Sequence, residues 1–226
     1  MIGIITALQK FRQDSYADIA KCSTLEHFAV PHGKQSTLID YKGGFHHASF
    51  FTGHDTEGKY SIPGTISPGT ALSGGNLVDL STNNFIALLV GYFDNGATTF
   101  QLGDSTTNGY LQWSGGGGIK GAGGSAALAF AMNPDLVQGR ALIRSGTAST
   151  QLFVDGSSVD SDNTTNVGSV LLDDDIGSLF IDQFYGLVIF KFNGSLPSDY
   201  VTVLNEIIAD LKNGNHRLPK AVESWA

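Results

Sequence analysis

One cysteine in 226 residues, Cys22, leaves no partner for an intramolecular disulfide, so crosslinks do not supply the stability of this chain. Positive charge is scarce as well. Thirteen Lys and Arg stand against 21 Asp and Glu, a formal net charge of −8 with no basic block, which excludes the electrostatic footprint of a nucleic-acid-binding protein. No stretch approaches the roughly 18 consecutive apolar residues of a transmembrane helix. The opening MIGIITALQKF has no positive start followed by a long apolar run, and the expectation is a chain that works without membrane insertion. No repeat of fixed period is present, which excludes solenoid and propeller architectures.

Glycine, by contrast, is abundant. With 29 glycines, 41% hydrophobic residues and 15% charged residues, the composition is that of a turn-rich globular protein, long enough for one substantial core. The most informative segment is Gly139 to Asp160, GRALIRSGTASTQLFVDGSSVD. Asp155-Gly156 tolerates the positive φ angles of a tight turn, and its apolar flanks at Leu152 and Val154 mark a β-hairpin. Strand patterns of the same kind run through 36–42, 46–52, 76–80, 84–93, 98–103, 109–114, 126–132, 140–145, 149–155, 169–173, 177–182 and 184–192. About a dozen short strands with short connections predict a sandwich or barrel. Residues 84–93 and 184–192 are apolar on both faces, as in central strands covered on each side. The glycine-rich stretch 114–127 leads into a strand rather than a helix, so it reads as a flexible hairpin tip and not as a phosphate loop.

Both ends read differently. Ile4, Ile5, Leu8, Phe11, Ile19 and Cys22 fall three to four apart in two short blocks, the spacing of amphipathic helical turns. They fit either a segment packed on its own sandwich or an arm docking on a neighbour. Past Pro197, Val201, Leu204, Ile208 and Leu211 predict one amphipathic helix that Asn213-Gly214 ends. Trp225, a large ring near the end, needs a pocket of its own or a neighbour's. The expected organisation is a helical arm over 1–26, a β-sandwich over 27–194, and a helix and tail over 195–226 packed on the sandwich.

Three pieces, taken in order, resemble laminin-G-like, concanavalin A-like domains: FIALLVGYFDNGATTFQLGDSTTNGYLQW (85–113), the hairpin STQLFVDG (149–156) and FIDQFYGLVIFKFNGSLPSDYVTVLNEI (180–207). The resemblance implies an all-β fold, a two-sheet antiparallel jelly-roll sandwich. Tyr185-Gly186, Ile189-Phe190 and Leu196-Pro197-Ser198-Asp199-Tyr200 also resemble the closing segment of such proteins carried by tailed bacteriophages. That implies a non-enzymatic structural protein of the virion, decorating or cementing a capsid or tail. Its partners would be other virion proteins and copies of itself, with Ile4, Ile5, Leu8, Phe11 and Trp225 as assembly contacts. The alternative is a carbohydrate-binding module or adhesin recognising host surface glycan.

Glycosidases of this fold need two carboxylates, and the four glutamates Glu26, Glu57, Glu206 and Glu223 do not form their E-x-D-x-x-E pattern. Asp173-Asp174-Asp175 reads as a solvated turn, and no catalytic residue is assigned. His46, His47 and His54 with Asp55 invite a metal, but neighbours on a strand point to opposite faces, so no metal site and no cofactor are expected. Calcium binding, common in the family, would draw on Asp94, Asp104 and Asp160 or Asp162, although turn aspartates more often satisfy local backbone. For sugar the best local set is Asp104, Asn108, Tyr110 and Trp113, an aromatic platform with polar neighbours. The weightier reading of Tyr110 and Trp113 is core or contact.

Overall fold

The computed structural model describes residues 16–31, 38–43, 46–47, 53–54, 60–61, 70–71, 78–93, 99–103, 109–114, 116–130, 136–172, 175–180 and 183–225, of which 46–47, 53–54, 60–61, 70–71, 99 and 175–180 as backbone alone. In these the chain forms β1 (Leu25–Pro31), β2 (Leu38–Asp40), β3 (His46–His47), β4 (Gly53–His54), β5 (Tyr60–Ser61), β6 (Thr70–Ala71), β7 (Val78–Ser81), β8 (Asn84–Phe93), β9 (Thr99–Leu102), β10 (Tyr110–Trp113), β11 (Gly117–Gly121), β12 (Gly124–Leu128), β13 (Leu136–Arg144), β14 (Thr150–Val154), β15 (Ser157–Asp162), β16 (Val170–Leu172), β17 (Asp175–Phe180) and β18 (Gln183–Phe192). One helix, α1 (Tyr200–Lys212), follows. The larger sheet has the order β15-β14-β13-β8-β18-β1-β2-β3, with β5 on β18 and β4 on β5; the smaller is β12-β11-β10-β9-β17-β6; β16 and β7 pair separately. Every pairing is antiparallel. The molecule is a two-sheet antiparallel β-sandwich of jelly-roll type with one C-terminal helix.

The hairpin that stood out in the sequence closes as its chemistry requires. Asp155 and Gly156 both take positive φ, 45° and 78°, and Val154 faces Ser157 across the turn. Gly156 also lets the turn meet α1, because a Cβ there would lie 2.0 Å from Asn205. Lys212 donates to the Asp155 carboxylate at 2.8 Å from the helix C-terminus.

Two apolar clusters explain the double-sided runs of β8 and β18. Between the sheets lie Phe85, Ala87, Leu89, Leu187 and Ile189, facing Phe100, Leu111, Trp113 and Ile119 of the smaller sheet. On the opposite face, Ile86, Leu88, Val90, Val188 and Phe190 are covered by Val203, Leu204, Ile207, Ile208 and Leu211 of α1 and by the tail residues Leu218, Val222 and Trp225. The cover needed for these strands is therefore supplied from within the chain.

Two fully buried arginines on the inner face of β13 brace opposite ends of the sandwich. Arg140 lies 3.8 Å from the Phe93 ring centroid and donates to the Ser114 carbonyl at 2.6 Å and to Gln138 Oε1. Arg144 donates to the carbonyls of Asn83, Gly168 and Ser81 at 2.7, 2.8 and 2.8 Å, tying the rim turn after β7 to the segment before β16. Burial pulls both guanidinium groups down to about 10, with the Asp155 charge acting in the other direction on Arg140, so both stay charged at neutral pH.

Two sequence expectations change here. Residues 114–127 are not a flexible tip: β11 and β12 form a regular ladder from Gly117↔Leu128 to Gly121↔Gly124. The glycines serve packing, since a Cβ on Gly117 would stand 2.5 Å from Leu142 Cδ2 across the sandwich. The described part of the expected helical arm over 1–26 also differs from expectation. Residues 1–15, with Ile4, Ile5, Leu8 and Phe11, lie outside the described residues. The remainder forms a single 3-10 turn, Ile19–Lys21, and strand β1 already starts at Leu25. That segment packs on its own chain: Ala17 donates to the Leu218 carbonyl at 2.9 Å, Asp18 N–H to Glu223 at 2.6 Å, and Cys22 is buried, which pushes its thiol up.

Candidate functional site

Because α1 and the tail cover the larger sheet, the outer surface of the smaller sheet carries the exposed polar positions. Alternation along β10, β11 and β12 sends Leu111, Trp113, Ile119, Ala126 and Leu128 inward. It sends Tyr110, Gln112, Gly118, Lys120, Ser125 and Ala127 outward. The register sets them in two rows, Tyr110–Lys120–Ser125 and Gln101–Gln112–Gly118–Ala127.

Tyr110 lies down across this face instead of standing off it. Its hydroxyl is 3.3 Å from Ser125 Oγ, two strands away, a span of about 9.5 Å at the usual strand spacing. To reach that far the ring must pass over β11, with Gly118 beneath it: a Cβ there would meet Tyr110 Cε2 at 3.4 Å, an ordinary contact. Gly118 points outward yet is buried, as expected of a residue roofed by a ring. The Lys120 ammonium stands over the ring, 5.8 Å from its centroid, at the outer limit of a cation–π contact. Beside it, the Gln112 amide makes no hydrogen bond among the described residues, while Gln101 Nε2 donates to the Gly103 carbonyl at 2.8 Å. The result is a flat aromatic surface with an ammonium over it, bordered by a hydroxyl and an unengaged amide.

Of the four residues singled out for sugar, the structure keeps Tyr110 on this surface and removes Trp113. Trp113 is fully buried, 5.7 Å edge-on from Phe100, with Nε1 donating to the Arg140 carbonyl at 3.0 Å, so its ring joins the two sheets and stacks on nothing outside. Parity decides this, since Tyr110 and Trp113 are three apart on one strand and must face opposite ways. Asp104 and Asn108 lie outside the described residues. Lys120, Gln112 and Ser125 were missed because their proximity to Tyr110 arises from strand pairing. An alternating pattern read through the glycines of 117–121 was the one signal that pointed to them.

Trp225, expected to contact a neighbour, fills a pocket of its own chain. Its ring meets Phe190 at 5.0 Å and Phe192 at 5.9 Å, and Nε1 donates to Asp199 at 3.1 Å. The turn aspartates offered for calcium are engaged locally. Asp160 accepts from Ala129 N–H at 2.6 Å, and Asp162 accepts from Thr164 and Thr165, hydrogen bonds that hold its carboxyl far below the usual range. Asp94 falls outside the described residues, as do Asp55 and the side chains of His46, His47 and His54; among the described residues no group of three or more His, Cys, Asp or Glu is placed to hold a metal ion.

A concavity of about 460 Å³ opens between α1 and the tail, lined in part by Tyr16, Glu206, Asp210 and Lys220. Three of these are engaged by neighbours: Arg217 stacks on Tyr16 at 3.7 Å and pairs with Asp210 at 3.3 Å, and Lys220 pairs with Glu223 at 2.8 Å.

No protein-family model and no curated protein matches the chain. Among solved structures it is similar to Trypanosoma rangeli sialidase (TM-score 0.52, 12% identity, 84% of this chain and 33% of that one). It is also similar to the binding domain of botulinum neurotoxin DC in complex with SialylT (TM-score 0.47, 8% identity, 84% and 52%) and to the botulinum neurotoxin serotype C1 binding domain (TM-score 0.49, 8% identity, 84% and 53%). The chain thus spans between a third and about half of the length of these proteins. At such identities the likeness to the sialidase concerns the fold alone, and the two binding domains, below a TM-score of 0.5, add nothing to it; what the likeness establishes is a β-sandwich.

Proposed function

We propose that this chain is a carbohydrate-binding module or adhesin that holds a surface glycan against the outer face of its smaller sheet. The observation that carries the reading is the Tyr110 ring laid flat over Gly118, with Gln112 at its border and Lys120 over it. A pyranose offers a C–H face that stacks on an aromatic ring and a rim of hydroxyls that take up amide, ammonium and hydroxyl partners. Glycoside cleavage takes two carboxylates flanking the bond, and the outward side chains named on this face include none, so the proposed activity is binding without turnover. The virion role implied by residues 185–200 draws no support from the described residues. Trp225, one of its contacts, is internal, and the others lie in 1–15.

Tyr110→Ala tests the reading. Its ring is outside both apolar clusters, so the variant keeps the wild-type far-UV spectrum and melting temperature. Affinity for a glycan selected on an array falls by about tenfold or more, equivalent to about 1.4 kcal/mol. A Tyr110→Ala protein that binds the selected glycan as tightly as wild type would remove the face from consideration.

A further inference from the structure

We infer that the concavity between α1 and the tail is a second binding site, one that takes a primary alkylammonium group. It is independent of the glycan reading, because α1 and the tail cover the larger sheet and the Tyr110 face belongs to the smaller one. At about 460 Å³ the space falls within the range of small-molecule sites. What its lining offers is acceptors. Glu206, on the exposed side of α1, makes no hydrogen bond or ion pair among the described residues. Asp210, about one helical turn further on, accepts at Oδ1 from Asn215 Nδ2 at 3.1 Å and Arg217 Nη2 at 3.3 Å, which leaves Oδ2 unengaged among the described residues. The Tyr16 hydroxyl is unengaged in the same sense. Two carboxylates four apart on a helix repel each other. Arg217 offsets that of Asp210, and the Glu206 charge has no counterpart.

Chemistry narrows the cation. A divalent metal needs several converging ligands, and no group of three or more His, Cys, Asp or Glu among the described residues is placed to hold one. A guanidinium or quaternary ammonium seeks an aromatic face, and Tyr16 already carries Arg217 at 3.7 Å from its ring centroid. A primary ammonium brings three N–H donors, which suit Glu206, Asp210 Oδ2 and the Tyr16 hydroxyl. Its methylene stem lies against Ala209, Pro219 and Ala221, the apolar part of the lining. Glu206 and Ala209 are exposed, so solvent screens the ion pair and the affinity is in the millimolar range.

The test is a heteronuclear NMR titration of the full chain with n-butylammonium and, as the polypeptide form of the same group, Nα-acetyl-lysine methylamide. The expected result is that the backbone amides of Ala209, Asp210 and Ala221 shift to saturation, while tetramethylammonium, of equal charge but without N–H donors, leaves them in place. Glu206→Gln, at an exposed helix position, keeps the wild-type melting temperature and raises the Kd about fivefold. Ala209→Leu fills the space and removes the shifts with both carboxylates intact. Equal or tighter binding of the lysine methylamide than of butylammonium assigns the site to a partner's lysine side chain, and weaker binding assigns it to a free amine. No saturable shift with either amine, equal shifts with tetramethylammonium, or a Kd unchanged in either variant overturns the inference.

Discussion

Trp225→Ala is the substitution that most sharply separates a ring belonging to this chain from one reserved for a neighbour. Trp225 is only 2% exposed, packs edge-on against Phe190 and close to Phe192, and hydrogen-bonds Asp199, the residue that precedes α1. Removing a buried tryptophan leaves a cavity that a sheet and a helix cannot collapse into, which costs about 3–5 kcal/mol. Asp199 loses a donor at the surface, where water replaces it at small cost. For a chain of this size, about 2–4 °C per kcal/mol gives a fall in melting temperature of roughly 6–20 °C. Urea unfolding followed by fluorescence reads the effect directly, because the only other tryptophan, Trp113, sits in the opposite cluster and reports the inter-sheet core. The midpoint should fall at dilute protein concentration with the slope unchanged. A Trp225→Ala monomer as stable as wild type would refute the packing argument and return the ring to a role between copies.

The buried His27–Asp40 pair makes a prediction about pH. Asp40 Oδ2 lies 2.5 Å from His27 Nδ1, and Oδ1 accepts from the N–H groups of Phe28 and Lys42 at 2.8 and 3.0 Å. Burial pushes this carboxyl up, but the hydrogen bond and charge of His27 and the two backbone donors outweigh it and hold it below its ordinary 3.8. A depressed carboxyl contributes stability that is complete above the unfolded value and lost as pH falls through the folded one. Asp40→Ala strands three donors and should cost about 3–5 kcal/mol near neutrality. The gap from wild type, measured by urea unfolding, should narrow as pH falls below 3.8; a gap that does not narrow there contradicts the assignment. Adjacent glycines on β11 should respond in opposite ways. Gly117→Ala drives a methyl to 2.5 Å from Leu142 in the inter-sheet core and should destabilise by about 1–3 kcal/mol, whereas Gly118→Ala makes only ordinary contacts at 3.4–3.6 Å and should stay within about 0.5 kcal/mol. Thermal melts of the two variants that coincide would contradict the packing described for β11.

What the sequence by itself determined is local. The apolar runs at 84–93 and 184–192, the positive-φ turn at Asp155-Gly156 and the helix after Pro197 each follow from residues within one element, and the structure forms β8, β18, the β14–β15 hairpin and α1 at those places. β11 was hidden, because glycine has little strand preference and the reason for it, Leu142, lies across the sandwich. β1 was hidden in a stretch whose helical spacing continued to Cys22. Only the tertiary structure decided which aromatic faces outward. Tyr110 and Trp113 carry the same composition signal, and pairing with β11 sends one onto a polar surface beside Lys120 and the other into the core. Contacts between residues far apart in the chain depend on sheet order and register, and these follow from burying both faces of the larger sheet at once.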